Sequence, residues 1–130
     1  MTATIALITY LARDYDEAIA WFRNALGFVL VEDTDQGSGK RWVVMAPDGK
    51  TGARFLIAKA ATEEQASFIG KAAGTRVAFF LHIDDFASMH AKMTTAGVRF
   101  LENPRHEAYG TVAVFEDLYG NRWDLLEPKR

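Results

Sequence analysis

The apolar positions of this chain fall into two runs of the same order, separated by a more polar stretch. Residues 4–12 are rich in Ile, Leu, Thr and Tyr and predict a buried strand. Asp14 then stands where a helix N-cap belongs, with Glu17 three residues on, as in a capping box. Ala18, Ile19, Trp21, Phe22, Ala25 and Leu26 recur at helical spacing, and Gly27 ends the helix. Strands are predicted over residues 28–32, 41–46 and 53–58. Glycine-bearing turns separate them at residues 35–40 and 47–49.

The second run repeats this order. Residues 77–83 predict a strand, and Asp84 or Asp85 caps a helix carrying Phe86, Met89, Met93 and Ala96 on its apolar stripe, up to Gly97. A strand over residues 98–102 follows, then a loop over 103–110 in which Gly110 would hinge a lid carrying Tyr109. Strands over 111–115 and 122–126 close the set around the turn Asp117-Leu-Tyr-Gly-Asn. The halves also match locally: Gly52-Ala-Arg54-Phe-Leu56-Ile resembles Gly120-Asn-Arg122-Trp-Asp124-Leu. This internal duplication predicts an α+β fold of two tandem βαβββ modules. Repeat 1 covers about 4–58 and repeat 2 about 77–127 of a single domain over 1–130. Residues 59–76 form a helical linker, because Thr62-Glu-Glu-Gln65 is a further capping box.

Composition narrows the function. A chain of 130 residues suits one domain and can bury a sizeable core. The net charge of −2 leaves no basic face for nucleic acid or a membrane surface. The absence of cysteine removes disulfides, zinc–thiolate sites and thiol nucleophiles, and fits a reducing compartment. The first residues lack a basic n-region and a long apolar core, so the expected address is the cytoplasm. No apolar run approaches a membrane span.

The segments Arg13-Asp-Tyr-Asp-Glu-Ala-Ile-Ala-Trp-Phe22, Leu26-Gly-Phe28 and Phe115-Glu-Asp-Leu-Tyr-Gly-Asn-Arg-Trp-Asp-Leu125 resemble the vicinal-oxygen-chelate superfamily of glyoxalases, bleomycin-resistance proteins and extradiol dioxygenases. The resemblance covers essentially the whole chain. It implies curled half-barrel sheets with a cleft inside each and, in metal-using members, a divalent ion held by His and Glu on the first and last strands of each module. Carried over by position, those ligands fall on Leu7, Leu56, Ala78 (or Val77) and Asp124. One carboxylate among apolar residues does not hold a catalytic divalent ion. No cofactor is therefore expected, and a divalent metal is disfavoured.

Strand alternation extends the candidate site. Phe80 and His82 share a face with Ala78, Thr9 with Leu7, Arg54 with Leu56, and Arg122 with Asp124. Asp124 and His82 are the candidate acid–base pair. Arg54 and Arg122 can clamp a carboxylate or phosphate with a planar fork, and Trp42, Phe80 and Tyr109 can line an apolar pocket. The bland readings are a structural ion pair for Asp124, a hydrogen-bonded strand-end histidine for His82, rim positions for the arginines and plain core for the aromatics. Two functions compete. One is a metal-independent protein, resembling the bleomycin-resistance branch, that binds a small aromatic or planar anionic molecule in a homodimer. The other is a lyase, isomerase or dioxygenase using Asp124 and His82.

Overall fold

A computed structural model describes residues 1–130 and places them in two compact units, Met1–Ile69 and Gly70–Arg130. The first runs β1 (Leu7–Ala12), α1 (Tyr15–Leu26), β2 (Val29–Asp35), β3 (Arg41–Ala46), β4 (Arg54–Lys59) and the short α2 (Glu63–Ser67). Its sheet has the order β1-β4-β3-β2, with β1 parallel to β4 and the other pairs antiparallel. The second runs β5 (Val77–His82), α3 (Phe86–Thr95), β6 (Arg99–Phe100), β7 (Arg105–Glu107), β8 (Gly110–Glu116) and β9 (Arg122–Pro128). Its order is β5-β9-β8-β6, again with a parallel first pair. The two units are thus an α+β pair built on one strand order, which is the duplication expected from the sequence, and neither sheet closes on itself.

Local chemistry explains α1. The Asp14 carboxylate accepts the Glu17 amide at 2.8 Å, satisfying a donor that the first turn leaves open. Gly27 ends the helix at φ 70°, where a side chain would be strained. Between these ends Ala18, Ile19, Phe22, Ala25 and Leu26 are buried against the sheet. Phe22 is the centre of an aromatic cluster, with ring centroids 5.0 Å from Tyr10, 5.2 Å from Phe28 and 5.9 Å from Phe55. In the second unit the corresponding face holds Trp123, 4.9 Å from Phe79 and 5.6 Å from Phe115.

The turn Asp117–Asn121 is fixed by a buried carboxylate. Asp117 accepts the amides of Tyr119 and Asn121 at 3.0 Å, the Asn121 side chain at 3.1 Å and the Trp123 indole at 2.9 Å. A buried charge persists only when donors surround it, so this turn is structural.

Several expectations need correction. Residues 103–110 are not a loop with a lid: β7 pairs with β8, and Gly110 is a buried strand residue opposite Glu107 and Pro128. A Cβ at Gly110 would lie 2.1 Å from the Glu127 carbonyl oxygen, so glycine serves close backbone packing here and not a hinge. The expected strand over 98–102 shrinks to two residues, and beyond it the Glu102 side chain accepts the Val114 amide of β8. The cap of α3 is Asp85, whose carboxylate accepts the Ser88 amide at 3.0 Å. Of the expected α3 stripe, Phe86 and Met93 are buried, Met89 is half-buried and Ala96 is exposed.

Candidate functional site

In the first unit, strand alternation separates two faces. Tyr10, Phe55, Ile57, Val43 and Met45 point to α1 and are buried. Leu7, Thr9, Arg54, Leu56 and Trp42 belong to the opposite face, with Leu7 beside Arg54 and Thr9 beside Leu56 in the β1–β4 register. Two hollows share that face. One of about 540 Å³ is lined by Thr9, Trp42, Leu56 and Ala58 and reaches round to Tyr15 and Lys59. The other, about 380 Å³, is lined by Leu7, Val44, Arg54 and Glu32. Trp42 lines both.

The larger hollow exists because β3 and β4 part. Their register runs Met45↔Phe55, Val44↔Leu56 and Val43↔Ile57, then stops, although each strand continues for two more residues. The next hydrogen-bonded pair would be Arg41 with Lys59. Arg41 is held elsewhere. Its amide donates to the Tyr15 hydroxyl at 3.2 Å. Its guanidinium lies 5.1 Å from the Tyr15 ring centroid, and donates to Asp33 at 2.7 and 3.1 Å and to Asp16 at 3.0 Å. Asp33 is held below the usual carboxylate range by its hydrogen bond to Arg41, and the Arg41 guanidinium is raised chiefly by the same bond. The Ala60 amide donates to Ala12 on the β1 side at 3.0 Å. By alternation, the Lys59 N–H and C=O therefore face the parted side.

Lys40 and Lys59 are among the residues that line this hollow, and neither ammonium has a hydrogen bond or ion pair in the chain. Neither lysine was singled out from the sequence. The break in the ladder that makes them significant leaves no pattern of polar and apolar residues to detect.

In the second unit, Phe80 lies opposite Asp124 and His82 opposite Leu126. Asp124, Phe80 and His82 thus share the face turned away from the Trp123–Leu125 core. Phe80 is 63% exposed, which no packing role explains. His82 is exposed at the end of β5, and its side chain makes no hydrogen bond. A register shift between Val77 and Phe79 sets Val77 opposite Arg122 and leaves Ala78 as the extra residue of a bulge. With Asp85 as the cap, Ala78 lies seven residues before it, as Leu7 lies before Asp14.

Asp124 is half-buried and accepts no hydrogen bond from the chain. Burial pushes its carboxyl above the usual range; Arg105 opposes this shift and Glu102 adds to it. No ion pair holds Asp124; a charge cluster that the sequence did not reveal lies near it. Arg105 donates to Glu102 at 2.9 Å and to Glu107 at 3.1 Å. Glu102 accepts the Val114 amide at 2.9 Å, next to Asp124 across the β8–β9 ladder. Tyr109 is 53% exposed in the β7–β8 turn.

Arg54 and Arg122 occupy matching places, as the repeat implied, yet each guanidinium holds a backbone carbonyl: Gly49 at 3.1 Å for Arg54 and Thr75 at 2.8 Å for Arg122. Leu7, Leu56, Ala78 and Asp124, onto which the resemblance carries the metal ligands, offer one carboxylate between them. Nowhere in the chain do three His, Cys, Asp or Glu side chains group closely enough to hold a metal ion.

Comparison with known proteins bears on this geometry. The sequence model of the Glyoxalase/Bleomycin resistance protein/Dioxygenase superfamily matches residues 4–125. An uncharacterized protein of Shewanella frigidimarina (strain NCIMB 400) is 49% identical over 98% of this chain and 95% of its own. The uncharacterized protein YurT of Bacillus subtilis (strain 168) is 26% identical over 95% of this chain and 98% of its own. Among solved structures, UcmS2 has a TM-score of 0.82 at 27% identity, covering 98% of this chain and 99% of that one. TnmS3, an antibiotic binding protein from Streptomyces sp. CB03234, has a TM-score of 0.76 at 21% identity, covering 98% of each chain, and shares the fold. With its repeated strand order and its family match across nearly the whole length, the chain belongs to the glyoxalase/bleomycin resistance protein/dioxygenase superfamily.

Proposed function

We propose that this chain is a binding protein for a small, planar, anionic molecule, held without a metal ion in the hollow beside Trp42. The observation that carries this reading is the parting of β3 from β4, which leaves a space of about 540 Å³ lined by Trp42, Leu56 and Thr9. That size is in the range of small-molecule sites. An indole wall favours a flat, polarisable ligand. Leucine and alanine at three of the four ligand positions support independence from metal. TnmS3 gives a precedent for antibiotic binding on this fold. The ligand class itself is argued from the residues of this chain.

A thermal-shift screen of aromatic acids, run with and without a chelator, tests the proposal. The expected result is stabilisation by a subset of acids, unchanged by chelator and lost in Trp42→Ala. Stabilisation that needs added zinc, nickel, iron or manganese would overturn it.

One observation favours an enzymatic reading. Asp124 and His82 share an open face with exposed Phe80, and Asp124 has no donor to neutralise it. A desolvated carboxylate of raised pKa suits a general base. Turnover lost in Asp124→Asn would establish that reading. Binding without turnover supports the first.

We further propose a homodimer in the cytoplasm. Leu7 and Ile8 on β1 and Phe80 on β5 are exposed apolar residues on the edge strands of their sheets, and such edges invite pairing. Sedimentation at micromolar concentration should give twice the chain mass of 14.5 kDa. A monomer would contradict this.

A further inference from the structure

We infer that the parted end of β3 and β4 is an oxyanion seat, in which the main-chain N–H of Lys59 and the ammonium groups of Lys40 and Lys59 receive the carboxylate or sulfonate of the ligand. The inference rests on the proposed binding role of the Trp42 hollow and goes further, by assigning the charged end of the ligand to these groups instead of to Arg54 or Arg122.

Four observations carry it. First, the rung that would consume the Lys59 N–H and C=O is missing, so a strand amide faces a cavity. Second, the residue that would complete the rung is fully engaged elsewhere: the Arg41 amide goes to Tyr15 and the guanidinium to Asp33 and Asp16. Third, Lys40 and Lys59 line the hollow and their ammonium groups have no partner in the chain. The acids nearby are occupied, Asp16 and Asp33 by Arg41, and Asp35 by the Gly37 amide at 2.9 Å. Fourth, the lining of the hollow contains no Asp or Glu, so no carboxylate in it repels an anion. By contrast, Arg54 and Arg122 are each anchored to a carbonyl.

The chemistry that follows is that of an amphipathic aromatic acid. Its ring lies against Trp42 and Leu56, and its oxygens reach one amide and two ammonium groups at the splayed strand end. Charge-assisted bonds of this kind are the stronger hydrogen bonds. Because Lys40 and Lys59 are exposed, their attraction weakens with salt.

Two fluorescent probes separate this inference from the reading beneath it. 1-Anilinonaphthalene-8-sulfonate carries an oxyanion, and N-phenyl-1-naphthylamine has the same rings without it. The wild-type chain is expected to bind both, with the sulfonate favoured. In Lys40→Ala/Lys59→Ala, the sulfonate should weaken about tenfold or more, equivalent to about 1.4 kcal/mol, while the neutral probe stays within about twofold (about 0.4 kcal/mol). Trp42→Ala should weaken both. If the double lysine variant keeps its sulfonate affinity while Trp42→Ala loses both probes, the oxyanion seat is overturned and the hollow stands. If neither probe binds the wild-type chain, or Trp42→Ala changes neither, the hollow itself is overturned. Circular dichroism of each variant separates loss of binding from loss of fold.

Discussion

Arg41 and Lys59 occupy the next hydrogen-bonded positions after Val43 and Ile57, yet they do not pair: Arg41 turns to Tyr15, Asp33 and Asp16, and the strands diverge around a cavity. A three-way arrangement of a phenol and two carboxylates takes the place of one rung. The open pocket and the immobilised arginine are two sides of one structural choice.

Replacing Arg41 by Ala should therefore destabilise the first unit modestly, by about 1 kcal/mol at neutral pH, since the pairs are partly exposed. The pH dependence has a defined sign. The Asp33 carboxyl is lowered in the folded chain, so its contribution is present above the unfolded carboxylate value of about 3.9 and is lost as pH falls below it. Urea unfolding at pH 7 and pH 3 should show the gap between wild type and Arg41→Ala narrowing at the lower pH. A gap that widens would contradict the assignment.

Asp124 behaves in the opposite sense. Its carboxyl is raised in the folded chain, mainly by burial, so the fold binds its proton more tightly than the unfolded chain does. Stability from this group is fully present below the unfolded value of about 3.9 and is lost as pH rises through the folded value. Asp124→Asn should raise the melting temperature at pH 7 and leave it nearly unchanged at pH 3. A loss of stability at pH 7 would mean that the charged form is held by a partner.

Gly110 and Gly37 test the correction of the lid. Both have positive φ, 149° and 84°, but a Cβ at Gly110 meets the Glu127 carbonyl while one at Gly37 meets nothing within 4 Å. Gly37→Ala should cost about 1 kcal/mol for its backbone conformation alone. Gly110→Ala should cost more, about 3 kcal/mol or above, because β8 and β9 must move apart. Equal costs in chemical denaturation would restore a flexible Gly110.

The sequence made the fold legible because it is written twice. Caps such as Asp14 with Glu17, the stops at Gly27 and Gly97, and the alternation around Leu56 and Asp124 are local signals that fix element type and face. Strand parity accordingly placed Phe80, His82 and Asp124 on one face of their sheet, and Leu7, Thr9, Arg54 and Leu56 on one face of theirs. The site was less legible. Whether Arg54 and Arg122 meet a ligand or a carbonyl depends on loops whose path is set by tertiary packing. Arg105 and Glu102 approach Asp124 because β7 folds back on β8, and that short strand follows Pro104 in a polar segment without alternation. Lys40 and Lys59 matter because a ladder ends early, and a missing hydrogen bond has no signature in residue type.

Amide chemical-shift mapping of the labelled chain during titration with 1-anilinonaphthalene-8-sulfonate locates the bound sulfonate residue by residue. The predicted result is saturable shifts centred on Lys59, Ala58, Leu56, Thr9 and the Trp42 indole, with the Lys59 amide moving most, since it faces the hollow without a strand partner. Shifts confined to residues outside that set, or saturation with the Lys59 and Trp42 signals unmoved, would contradict it.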